Sequence, residues 1–135
     1  MHALRILIAA LAATIADFGY GYAVYGSLLT GSFAAQAGIY RGVEAQMANM
    51  PLGALGVLLA MVAAATMFAR GRARGLAAGV SFGALMAMFV VGACVLVNYA
   101  TINISPKHGA LMAAAAIGEW VVVGVVISAV YRAPA

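Results

Sequence analysis

A chain of 135 residues that is 67% hydrophobic and 7% charged is not a water-soluble domain. Soluble folds carry roughly one-quarter charged residues, and this much apolar side chain in water would leave patches that aggregate. The net charge of +4 comes from seven Lys and Arg scattered along the sequence, too sparse for the dense basic stripe of a nucleic-acid surface. A single cysteine, Cys94, excludes an intrachain disulfide and two-thiol redox chemistry.

Four apolar runs fill most of the length, at residues 3–29, 52–69, 76–100 and 110–131. A spanning helix needs about 20 apolar residues at 1.5 Å rise. The pattern predicts an all-α membrane protein: one domain, residues 1–135, folded as an antiparallel bundle of four transmembrane helices. The first run opens on Met1-His2-Ala3-Leu4-Arg5 like a signal peptide, but apolar character continues through Tyr25 to Leu29. That is too long for a signal h-region, and a retained first helix is expected. Along it Ala9, Ala13, Asp17 and Gly21 form a small-residue track, followed by Tyr20, Tyr22 and Tyr25. Tyr25, like Tyr99 and Tyr131, is expected to anchor at a membrane surface, whereas the deeper Tyr20 is placed to hydrogen-bond inside the bundle.

The connection from Thr30 to Pro51 carries Phe33, Ala37, Tyr40, Val43, Met47 and Met50 at three- and four-residue spacing. This predicts an amphipathic interfacial helix between the first two spans, with Pro51 in the first turn of the second. The next connection, Arg70-Gly71-Arg72-Ala73-Arg74-Gly75, is basic. With Arg5 and Arg132 it sets five cationic residues on one side against Arg41 and Lys107 on the other. Basic loops stay inside, so both termini are expected in the cytoplasm.

Gly71, Gly75, Gly79 and Gly83 recur every four residues. Such stripes let transmembrane helices approach closely, here against the first or second helix or at a subunit interface. Gly124 and Ser128 give the fourth helix similar spacing. Ser105-Pro106 is expected to restart that helix after the polar third connection. Trp120, mid-span, is expected to pack against a neighbour or line a cavity.

Two acids lie inside the spans. Asp17 is twelve residues beyond Arg5 and Glu119 thirteen before Arg132, each roughly 18–20 Å from the cytoplasmic side. Both therefore sit near the midplane, where a charged acid costs on the order of 2.5–3.5 kcal/mol. Two carboxylates at that depth would repel, so at least one is expected to hold its proton. Candidate partners are each other, Thr14, Tyr20, Thr66, Ser81 or a bound cation. Asp17, Glu119, Thr14 and Tyr20 together form the candidate intramembrane site, serving either as polar glue between helices or as a proton- or cation-linked site.

No catalytic set is visible. His2 and His108 belong at opposite membrane faces, Met47 and Met50 are ordinary in a chain with eight methionines, and no nucleophile–base set, phosphate loop or metal motif occurs. No enzyme activity, metal or cofactor is expected.

The chain resembles a loose group of small bacterial four-helix integral membrane proteins. The resemblance rests on Asp17 late in the first helix, the long connection over residues 32–50, the basic Arg70–Gly75 turn, and Gly118-Glu119-Trp120, Gly124 and Tyr131-Arg132 in the fourth. It implies the fold and the bacterial inner membrane, and supplies no activity. Small multidrug exporters share the size and helix count, but their essential first-helix glutamate is replaced by Asp17, without the flanking pattern. The expected role is a non-enzymatic structural or accessory subunit in the lipid bilayer, as a homo-oligomer or within a larger membrane complex. The alternative is a proton- or cation-linked carrier using Asp17 and Glu119.

Overall fold

The computed structural model describes residues 2–71 and 74–131 and contains no strand among them. Arg72 and Arg132, two of the basic topology residues, lie outside the described residues. Helix α1 runs His2–Ala23 and continues as a π-helical turn, Val24–Leu28. After the short α2, Thr30–Ala34, comes the longest helix, α3, Val43–Arg70. Helix α4, Leu76–Val90, passes through a π-helical stretch, Val91–Leu96, into α5, Val97–Thr101. The last is α6, Pro106–Val130. Four helical segments, Ala3–Leu28, Val43–Arg70, Leu76–Thr101 and Pro106–Val130, are long and apolar enough to cross a membrane, so the chain is an all-α four-helix membrane bundle.

The second span departs from expectation. The connection before it holds the short separate helix α2, whereas residues 43–50, expected to belong to that connection, are fused to α3, and Pro51 lies inside that helix. Proline removes one helical hydrogen bond, but the residues before it favour a helix on other counts. Glu44 occupies the first turn, at the positive end of the helix dipole. Gln46 Nε2 donates to the Arg41 carbonyl at 2.6 Å and Asn49 Nδ2 to the Ala45 carbonyl at 2.7 Å. At 28 residues, α3 is about 42 Å long, against a hydrocarbon core of about 30 Å.

The fourth span starts at Pro106, four residues earlier than the apolar run implied. Ser105 is its N-cap, with Oγ accepting from the His108 amide at 3.2 Å, and Pro106 occupies the first turn where its missing N–H costs nothing. Ser105→Ala is expected to lower stability by about 1 kcal/mol, read as a lower thermal midpoint in detergent.

The main helix contacts run in the order α3, α1, α6, α4. Helix α1 packs between α3 and α6, and α6 packs between α1 and α4. The core lies at the end near His2, Arg70 and Val130, here termed proximal, and gathers Ala9, Ala10 and Ala13 of α1, Met61, Ala64 and Phe68 of α3, and Val123 and Ile127 of α6. Alanines on α1 let the larger side chains of α3 seat close to its backbone. Phe68 also meets Phe82 edge-on at 5.5 Å, which ties α3 to α4. Tyr131, expected to anchor at the membrane surface, is instead 2% exposed. It packs edge-on to Phe68 at 6.4 Å beneath the Arg74 guanidinium, because the chain leaves α6 toward the core.

On α3 the residues Val43, Met47, Met50, Ala54, Val57, Met61, Ala64 and Phe68 follow a strict alternation of four and three, one continuous seam. Their exposure falls from 78% at Val43 through 64% and 49% at the methionines to 2%, 1% and 5% at Met61, Ala64 and Phe68. The seam that seats on α1 near the proximal end is bare toward the distal end.

Candidate functional site

Asp17 and Glu119 meet. Helices α1 and α6 are antiparallel, and the pairing that sets Ala9, Ala10 and Ala13 in a common core with Val123 and Ile127 brings residue 17 opposite residue 119. Their side chains are within hydrogen-bond reach of each other. Two carboxyl groups facing each other can hydrogen-bond only if one of them donates, which is the arrangement expected of two acids at this depth in the α1–α6 interface. Asp17 is 8% exposed.

Two tyrosines of α1 and its π turn close the pair. Tyr25 OH donates to Glu119 Oε2 at 2.7 Å, and Tyr20 OH donates to the Ala115 carbonyl at 2.8 Å, one helical turn away on α6. The rings stand edge to face at 6.4 Å. Gly118 admits Tyr20: a Cβ there would collide with the Tyr20 hydroxyl. The expected surface position of Tyr25 is thus corrected. Regular helical periodicity sets it about 80° from Asp17, but the π turn beginning at Val24 underwinds the helix at that point. Such turns recur where a side chain must be re-aimed, and sequence alone carries no signal for this one.

The other candidate partners stay on their own helices. Thr14 Oγ1 donates to the Ala10 carbonyl at 2.9 Å, Thr66 Oγ1 to Val62 at 2.7 Å and Ser81 Oγ to Ala77 at 3.0 Å. Helix interiors commonly satisfy hydroxyls this way, and Thr14 takes no part in the pair through its hydroxyl. Among the described residues no buried side-chain nitrogen or oxygen lacks a partner, and no three His, Cys, Asp or Glu converge as a metal site. A hollow of about 370 Å³ along α4 and α6, lined by Ala84, Met88, Gly92 and Ile117 among others, does not include the acids in its lining.

The glycine stripe divides in two. Gly79 and Gly83 are buried against α6, not against the first or second span: a Cβ on Gly79 would meet the Gly124 carbonyl at 2.6 Å, and one on Gly83 the Val121 Cα at 2.8 Å. Trp120 contributes its backbone carbonyl to this contact. Gly71 and Gly75 precede the helix. Gly75 has φ +86° at the N-cap of α4 and open space around its Cα, so its role is conformational.

A second polar cluster, with no counterpart in the sequence reading, lies at the distal end. His108 on α6 is 1% exposed, with Nδ1 2.8 Å from Ser32 Oγ and Nε2 2.8 Å from Tyr40 OH. Phe33 packs edge-on to the imidazole at 5.0 Å. Burial lifts the Tyr40 phenol above the ordinary tyrosine range, so it keeps its proton. A histidine in a polar loop reads as solvated, and only the fold brings residues 32 and 40 onto it.

No protein family, characterised protein or solved structure matches this chain.

Proposed function

We propose that this chain is a non-enzymatic accessory subunit of a membrane assembly, bound to further copies of itself or to other polypeptides. The observation that carries the reading is the seam on α3. Its proximal half is seated on α1, and its distal half presents the same heptad face, Val43, Met47 and Met50, exposed and uncovered by the described residues. A sustained heptad face is the pattern by which helices pack on other helices. The carboxyl pair then serves as the clasp that joins the two central helices, each acid satisfying the other in lipid.

The location that fits this reading is the bacterial inner membrane, with both termini cytoplasmic. Arg5, Arg70 and Arg74 belong to the proximal end and Arg41 and Lys107 to the distal end, which favours the proximal end inside. Native mass spectrometry of the protein released gently from its own membrane is expected to give a mass above that of one chain. Met47→Lys with Met50→Lys is expected to reduce that mass to the monomer. A monomer from the unaltered protein under every extraction condition would overturn the reading.

A second reading is a proton-linked carrier. The observation in its favour is that Asp17 and Glu119 face each other near mid-span, with the Tyr25 hydroxyl on Glu119. Replacing both acids by their amides separates the two readings.

A further inference from the structure

We propose that residues 29–42 form a lid over the distal approach to the Asp17–Glu119 pair, latched onto the first turn of α6 by His108. The purpose of the lid rests on the second reading, since only a pair that exchanges protons needs its approach closed.

The segment leaves the first span at Leu29 and rejoins the bundle as α3 at Val43. A plain connection would satisfy its polar groups in water. This one turns four side chains inward. Ser32 and Tyr40 grip opposite nitrogens of His108, each at 2.8 Å. Gln36 and Ser105 bond reciprocally: Gln36 Nε2 donates to Ser105 Oγ at 3.2 Å, and the Ser105 amide to Gln36 Oε1 at 3.4 Å. One imidazole therefore holds both ends of the segment to α6. Both of its partners are hydroxyls, which donate or accept as required, so the latch closes with either histidine tautomer.

Phe33, the fourth of these side chains, connects the latch to the site. Its ring meets Tyr40 and His108 at 5.0 Å each and Tyr25 at 6.3 Å, all edge to face. Tyr25 in turn holds Glu119. Moving from the distal end inward, the order is His108 and Tyr40, then Phe33, then Tyr25, then the carboxyl pair. A water molecule or ion approaching Glu119 from that end meets the Phe33 ring before the Tyr25 hydroxyl. Lifting the segment removes Phe33 and uncovers Tyr25. Side-chain hydrogen bonds and ring packing on His108 hold residues 32 and 40 to α6, with no backbone–backbone bond from them to that helix among the described residues, so the latch is the part that releases.

A water-soluble carbodiimide with an amine nucleophile, applied to the whole chain in detergent, tests the lid. Modification of Glu119 is followed by peptide mass spectrometry, with the exposed Glu44 as internal reference. Wild type is expected to label at Glu119 at least ~10-fold more slowly than at Glu44, since carbodiimide needs a water-accessible carboxyl. His108→Ala is expected to raise the Glu119 rate by a similar factor with Glu44 unchanged. The double change Ser32→Ala with Tyr40→Phe keeps the imidazole and removes both grips. It is expected to do the same while retaining the wild-type helix content and melting profile. Wild-type labelling of Glu119 as fast as Glu44, or a wild-type Glu119 rate in the folded double variant, would overturn the lid. Proton flux is a separate readout: its absence would remove the second reading and leave the labelling result standing.

Discussion

Asp17→Ala is expected to destabilise the protein by about 1–3 kcal/mol, the cost of leaving a buried polar group short of a hydrogen-bond partner. The alanine leaves Glu119 facing α1 with only the Tyr25 hydroxyl, and an intramembrane carboxyl with half its partners gone has no water to turn to. Asp17→Asn combined with Glu119→Gln is expected to recover most of that loss. Two amides can donate and accept to each other as two carboxyls with one proton between them would, and Tyr25 OH can donate to the new amide oxygen as it does to Glu119. Thermal unfolding in detergent, compared across wild type, single and double variants, checks both outcomes. If the single change costs nothing, the acids are not the clasp between α1 and α6. The same double variant separates the two functional readings, because an amide pair keeps the helices together and carries no proton. Unchanged assembly accompanies loss of proton-coupled flux if the protein is a carrier. An accessory subunit with a purely structural clasp has no such flux to lose.

Gly83→Leu is expected to be the most damaging single substitution in the bundle, costing more than about 3 kcal/mol. Overpacking ordinarily costs about 1–3 kcal/mol when side chains can shift. Here the obstacle is backbone: the Trp120 carbonyl and Val121 Cα of α6 occupy the space a Cβ would take. Helices α4 and α6 would have to separate along their contact, which also includes Gly79 against Gly124 and Ser128. Gly53→Ala in α3 serves as the control, since nothing lies within 4 Å of its Cβ position. There the gain in helix propensity, about 0.5–1 kcal/mol, is expected to appear as a small stabilisation. Gly75→Ala separates the two roles of the stripe: it meets no neighbour, yet φ +86° makes it costly. Circular-dichroism melts of the three variants should rank Gly83→Leu lowest, Gly75→Ala between, and Gly53→Ala at or above wild type.

The four spans are legible in the sequence because apolar length is a local property. So is the restart of α6 at Ser105-Pro106, where capping chemistry is written in adjacent residues. Pro51 misleads because a proline reads as a boundary, although one lost hydrogen bond does not outweigh a preceding segment that favours continuing the helix. The matched depth of Asp17 and Glu119 can be counted from the flanking arginines, whereas their meeting depends on the face each helix turns to the other.

Composition, the existence of four spans and the matched positions of the two acids along their helices were thus determined by the sequence alone, since each follows from local composition or from spacing along one helix. The contact order of the helices, the seating of Gly79 and Gly83 on α6, the turn of Tyr25 onto Glu119 and the closure of Ser32 and Tyr40 on His108 were decided only by tertiary structure. The hydrogen bonds among these contacts join residues 68 to 94 positions apart. Such contacts depend on helix rotation and on a single π turn, and hydrophobic periodicity in a chain apolar on nearly every face does not encode rotation.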